Sequence, residues 1–341
     1  MVKIGIVGVG FMGVTHYKAF EKVKGAKVTA IFTRNPKKLR GDWRQVQGNF
    51  GGSGGMHSLA GVHCHDTIDA LLADDAVDLV DICLPTHLHP ESTLDAFRAG
   101  KHVLLEKPIS LELAEADRMM RAAKKARRYF LVAHVLRFFP EFALIKELAD
   151  SGRFGRIQAA HFKRIISKPA WKNTREIARM GGPAIDLHIH DADFVQYLFG
   201  MPSSVTTQGV VRRSGLVEHL NTHYHFERAL RAISAEAGWL SQQACPFEHG
   251  YDVYFEGAAL KFNSSWGKAP VLLTADGKSV SPRLPGKDAF VAELQEAVDV
   301  IGGRKKGKSI LAAESARNSL NLCLTEIRSA QVGRNVKVKK G

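Results

Sequence analysis

The residues KIGIVGVGFMG, positions 3 to 13, constrain this chain more than any other stretch. A near-continuous apolar run gives way at once to glycines at 8, 10 and 13, with Phe11 and Met12 between the last two. Each glycine answers a separate steric demand. Gly8 permits a tight turn, Gly10 lets a ligand approach the backbone, and Gly13 lets a following helix pack closely on the strand. The helix start then presents N–H groups and a partial positive charge to phosphate. Strand, glycine turn and helix in this order predict a dinucleotide site lined by Gly8, Gly10, Phe11, Met12 and Gly13.

The pattern that opens here continues. VTHYKAFEKV has helical spacing, AKVTAIFT and VDLVDICLP read as buried strands, ESTLDAFRAG as a helix, KHVLLEKP as a strand, and SLELAEADRMMRAAKKARR as a longer helix. Strands that are apolar throughout belong in a parallel sheet covered on both faces. The second strand ends in FTRN, where an acid would accept from the ribose 2′-hydroxyl of NAD. Thr33 stands there instead, and Arg34 follows with a guanidinium suited to a 2′-phosphate. The plainer reading leaves Arg34 in solvent, stacked on an adenine. The residues favour NADP over NAD.

A chain of 341 residues exceeds one ordinary core and suits two domains, read here as 1–134 and 135–341. After about residue 135 the texture changes. EFALIKELADSG reads as a helix, RIQAAHFKRIIS as a strand and PAIDLHIHDADFVQYLFG as one helix, after which several alternating runs predict an antiparallel sheet. The glycine-rich GNFGGSGGM, 48–56, reads as an inserted loop. No apolar run is long enough for a bilayer, and the immediate entry into a strand leaves no room for a signal peptide, so a cytoplasmic protein is expected. The four cysteines lack paired spacing, which disfavours a disulfide framework or a structural zinc site. Net charge is +14, but the basic clusters KKARR, GGRKKGK and NVKVKK are scattered and lack interleaved aromatics, so neither nucleic acid nor a membrane is expected as a partner.

Ligands of such sheets lie beyond the carboxyl ends of the strands. Two segments end there. ICLPTHLHP brings Leu84, Pro85, Thr86 and His87 to the cofactor, and LLEKP brings Glu106 and Lys107, with Pro108 fixing the turn. Lys107 offers a cation to the nicotinamide end. Glu106 either joins it or forms a structural ion pair. In GGPAIDLHIHDAD, 181–193, a helix would set Asp186 and His190 on one face at i and i+4, a carboxylate beside an imidazole fit to move a proton near neutral pH. His188, Asp191 and Asp193 would fall on other faces.

GVGFMG, PTHLH, EKP and the D-x-x-x-H of DLHIH, in this order, resemble the Gfo/Idh/MocA family of nicotinamide-dependent sugar and cyclitol oxidoreductases, and YDVYFEGAALKF is similar to that family's C-terminal sheet. The resemblance implies an α/β chain: an N-terminal Rossmann doubly wound parallel sheet, then an α/β domain on a large, open, mostly antiparallel sheet used for dimer or tetramer contacts. It also implies Lys107 as the catalytic lysine, Asp186 and His190 as its partner pair, and His190 as general acid/base. The chain departs from the family at GGP, where a third glycine is usual, and in lacking the acid after the second strand.

The expected reaction is hydride transfer between nicotinamide C4 and a carbinol carbon of a sugar or polyol, with the hydroxyl proton going to His190 and Lys107 against the alkoxide. Arg137, Arg164, Lys168, Trp171 and Lys172 are candidates for sugar contacts. Competing readings are transient redox serving glycoside cleavage or elimination, a metal-dependent hydrolase using His188, His190 and Asp191, and a non-catalytic ligand sensor. A helical segment 183–193 disfavours the metal reading, because H-x-H side chains diverge on a helix.

Overall fold

The computed structural model describes residues 1–48, 54–168, 177, 179–227, 231–240, 242, 244–267, 269–284 and 286–339. In chain order it begins with β1 (Val2–Val7), α1 (Phe11–Phe20), β2 (Ala26–Phe32), α2 (Pro36–Leu39), β3 (His63–His65), α3 (Ile68–Leu72) and β4 (Leu79–Ile82). There follow α4 (His89–Arg98), β5 (His102–Glu106), α5 (Leu113–Ala126), β6 (Phe130–Ala133), α6 (Pro140–Ser151), β7 (Ile157–Ser167), α7 (Pro183–Asp186) and α8 (Ile189–Phe199). The rest is β8 (Ser204–Val211), β9 (Val217–His225), β10 (Ala232–Leu240), β11 (Glu248–Phe255), β12 (Ala258–Asn263), β13 (Val271–Thr274), β14 (Ser279–Val280), α9 (Ala289–Ile301), α10 (Ala313–Val332) and β15 (Val336–Lys337).

Contacts divide the chain into two units. One is Met1–Val135 with Lys287–Arg317, the other Leu136–Gly286 with Asn318–Gly341. The division after Val135 lies one residue from the boundary read in the sequence. Residues 287–317 return to the first unit, because the amphipathic α9 packs on α1 and the turn after it: Phe290 lies 6.3 Å from His16, and the Gln295 side chain accepts from the Lys24 N–H at 2.8 Å and donates to the Lys24 carbonyl. No turn chemistry announces a return of that kind.

The first unit holds a six-stranded sheet in the order β3-β2-β1-β4-β5-β6, parallel throughout. β4 and β6 are buried along their length, and β1 and β5 at all but one residue each, as strands between two helical layers must be. The order reverses between β1 and β4, so the glycine turn after β1 and the PTHLH turn after β4 open side by side. The backbone of one touches the other: a Cβ on Gly8, whose φ is +103°, would lie 2.8 Å from the Cys83 carbonyl oxygen.

The second unit is built on nine strands in the order β14-β13-β12-β11-β7-β10-β9-β8-β15. Every pairing is antiparallel except β7 with β10. One face carries an aromatic layer, with Phe194 of α8 edge-on to Phe142 and Phe162 at 5.3 and 5.7 Å, and Tyr251 at 5.2 Å from Phe142. The single helix expected over 183–200 is corrected to two. His188 N–H reaches back five residues to the Pro183 carbonyl, and this wide turn ends α7 before α8 begins.

Candidate active site

In the first unit the three glycines meet three different surroundings. A Cβ on Gly13 would overlap the Gly8 carbonyl oxygen, whereas one on Gly10 would meet nothing within 4 Å. The open space therefore lies where a ligand must approach, and α1 starts at Gly10 with neither a side-chain cap nor an acid in its first turn. Phe11 and Met12 are partly buried, and Gly48 packs so closely on the Phe11 ring that a side chain there would strike it. Residues 49–53 of the glycine-rich stretch lie outside the described residues.

Thr33 is buried and accepts from the Asn35 N–H, while Arg34 is exposed. The sequence reading missed Lys38. Its ammonium donates to the Val9 carbonyl at 2.7 Å, and burial lowers its pKa. The spacing R-x-x-x-K through a helix capped by Asn35 was the available signal. A dinucleotide fits these residues: an uncapped helix start, an unfilled Gly10 and two cations flanking the loop.

After β4, Leu84 is partly buried, Thr86 is buried, and Pro85 and His87 are exposed. His89, also missed, joins this turn to the next. It is 1% exposed, with Nε2 2.8 Å from the Leu84 carbonyl and Nδ1 2.8 Å from the Pro108 carbonyl. Burial holds its pKa below the usual histidine range.

At the end of β5 the two charges of LLEKP separate. Glu106 is buried, with Oε1 3.1 Å from His16 Nε2, and Oε2 accepts the Lys107 N–H at 3.1 Å. His16 Nδ1 lies 2.9 Å from Asp81. Of the two alternatives for Glu106, its side chain forms the ion pair. Lys107 keeps partial exposure between buried neighbours.

In the second unit, Gly181 and Gly182 take φ of +80° and +69°, and Pro183 starts α7, so GGP forms a left-handed entry into a proline-led helix. Between 182 and 196, only Asp186 and His190 keep partial exposure. Their neighbours of like chemistry are fully buried and paired. His188 Nε2 sits 2.6 Å from Glu326, which raises its pKa against the larger opposing effect of burial. Asp191 takes the fork of Arg164 at 2.7 and 3.1 Å, and Asp193 that of Arg137 at 2.8 and 2.5 Å.

The expectation that Arg137 and Arg164 contact sugar is thereby corrected. Each is 4% exposed, and its bidentate edge neutralises a buried carboxylate that would otherwise stand uncompensated. Lys168 lies 3.3 Å from Glu218. Trp171 and Lys172 fall outside the described residues. Among the described residues, two groups of three ligand-type side chains converge, His16 with Asp81 and Cys83, and His63 with His65 and Asp74. Neither includes the histidines of DLHIH.

The strand order and the glycine turn define the first unit as a dinucleotide-binding Rossmann domain, joined in one chain to an α/β unit on a mostly antiparallel sheet. The chain belongs to the Gfo/Idh/MocA oxidoreductase family: residues 2–134 match its NAD-binding Rossmann model and 142–261 its C-terminal domain model. It is 31% identical over 201 residues to a myo-inositol 2-dehydrogenase of Thermotoga maritima, covering 58% of this chain and 55% of that protein. It is 31% identical over 216 residues to a 2,7-anhydro-N-acetylneuraminate hydratase of Escherichia coli, covering 61% and 53%. The chain thus spans about half the length of these relatives. An aldose-aldose oxidoreductase from Caulobacter crescentus, crystallised with glycerol, shares the fold at a TM-score of 0.82 and 22% identity, over 98% of this chain and 99% of that one. Among the described residues, no helix is long and apolar enough to cross a membrane.

Proposed function

We propose that this chain is an NAD(P)-dependent dehydrogenase or reductase acting on a CH–OH group of a sugar, sugar derivative or cyclitol. Family membership and the inositol dehydrogenase relative support the reaction class. One observation carries the residue assignment: Lys107, Asp186 and His190 keep solvent access, while the other charged groups of their motifs are buried.

Gly8, Gly10 and Gly13 with the start of α1 hold the pyrophosphate, Arg34 and Lys38 face the adenosine end, and the turns after β4 and β5 receive the nicotinamide. The bound nicotinamide supplies the hydride acceptor or donor. His190, kept oriented by Asp186, takes the hydroxyl proton in oxidation and returns it in reduction. Lys107 stabilises the developing alkoxide, where an ammonium shielded from water acts more strongly than in solvent. Missing acid and added cations favour NADP over NAD. A second reading has support from the hydratase relative: the same groups serve a transient oxidation that permits elimination, with no net redox change.

The test screens purified protein against sugars, inositols and keto-sugars with NAD and NADP, following nicotinamide absorbance. With the substrate so found, Lys107→Ala retains dinucleotide binding within a few-fold and loses most turnover, about 100-fold or more. Turnover equal to wild type removes Lys107 from the chemistry. Product formed without change in nicotinamide absorbance selects the elimination reading.

A further inference from the structure

The dinucleotide loop and Lys107 belong to different strands, yet a buried chain of charges connects them within the first unit. His16 lies on α1, the helix that begins at Gly10, and is fully buried. Each ring nitrogen faces a carboxylate, Nδ1 to Asp81 at 2.9 Å and Nε2 to Glu106 at 3.1 Å. The Cys83 thiol lies 3.6 Å from Nδ1, and the Phe290 ring of α9 is 6.3 Å away. A neutral imidazole would set a bare ring nitrogen against one of two buried carboxylates, whereas an imidazolium lies between them as their shared counter-charge. Burial works against that charge, but the Asp81 carboxylate raises the pKa of His16 well above the usual value. Burial also pushes the Cys83 thiol up, so it stays protonated.

Glu106 carries the connection onward, since its second oxygen accepts the Lys107 N–H at 3.1 Å. The backbone that presents Lys107 is therefore held by a carboxylate whose own place is set from α1. We infer that His16 is a positioning residue: lying between Asp81 and Glu106, it couples the dinucleotide-binding helix to the backbone that presents Lys107. The turnover consequences rest on the proposed function; the consequences for the lysine itself do not.

Three variants test this: His16→Gln, Glu106→Gln and the double variant. The first readout needs no activity. Lys107 is acylated with an amine-reactive ester across a pH range, and its peptide is quantified by mass spectrometry with the other lysines as internal controls. In His16→Gln the Glu106 carboxylate loses its partner and its hold on the Lys107 backbone loosens, so Lys107 labels faster relative to the other lysines. In Glu106→Gln, whose amide oxygen still accepts the Lys107 N–H, the rate changes less. The double variant, with neither charge, returns toward wild type and recovers thermal stability lost in the singles, a non-additive result that packing loss alone does not produce.

The second readout is turnover with the substrate identified above. His16→Gln lowers kcat about 10- to 100-fold with little change in dinucleotide KM, and the double variant recovers part of the loss. Labelling unchanged in His16→Gln, or changes that simply add in the double variant, overturns the inference. If labelling responds as described while no nicotinamide-linked substrate exists, the coupling stands and the proposed activity falls.

Discussion

A methyl group added at position 10 and one added at position 13 meet opposite surroundings. Gly10→Ala places its Cβ in open space, so the free protein keeps its stability while dinucleotide affinity falls about tenfold or more, because the methyl occupies the ligand's approach. Gly13→Ala drives its Cβ into the Gly8 carbonyl and destabilises the fold itself by about 1–3 kcal/mol. Urea unfolding of the free proteins, followed by dinucleotide titration, separates the two. Equal stability in both variants refutes the division of roles among these glycines. The division was legible in the sequence because strand, turn and helix are adjacent. The fate of Glu106 was not, since its partner His16 lies on another element and nothing in the spacing of either residue marks the other.

At the scale of elements, the segment 183–199 shows how a broken helix sorts its charges. The wide turn at Leu187 and His188 separates α7 from α8, and only Asp186 and His190 face partly outward. Breaking one buried pair leaves a charge uncompensated, so Asp191→Asn, which strands the Arg164 guanidinium, lowers stability by about 3–5 kcal/mol. His190→Ala changes stability by about 1 kcal/mol or less and abolishes most turnover. Denaturant melts with turnover assays check both, and a stable Asp191→Asn would show that the pair contributes little. The sequence singled out Asp186 and His190 by their i, i+4 spacing. It misassigned Arg137 and Arg164 because an exposed, ligand-binding arginine and a buried, paired one look alike until the partner's position is known.

At the scale of the whole molecule, the open face of the nine-stranded sheet bears on assembly. Phe162, Ala235 and Ala237 point to the buried side, and the alternate positions His161, Lys163, Ser234 and Glu236 are partly exposed. Glu236 sits among basic side chains, 3.1 Å from His219 and 3.9 Å from His161, and pairs in register with Lys163. The hydrogen bond to His219 holds its carboxyl below the usual range. We expect copies of the chain to associate through this face. On that proposal Glu236→Lys, which concentrates like charge on this face, brings the mass down to that of one chain, read by light scattering after size exclusion. An unchanged mass places the interface elsewhere.

The amino-acid order determined the parallel sheet, the glycine turn and the antiparallel character of the second half. Apolar period, turn residues and short spacings are local properties, and backbone sterics act on them wherever the chain later folds. Only the tertiary structure decided which charges are buried together, as with Arg137 and Asp193, 56 residues apart. It also returned residues 287–317 to the first unit. Those outcomes depend on which surfaces packing brings together, because a buried charge takes whatever partner the assembled core places within reach.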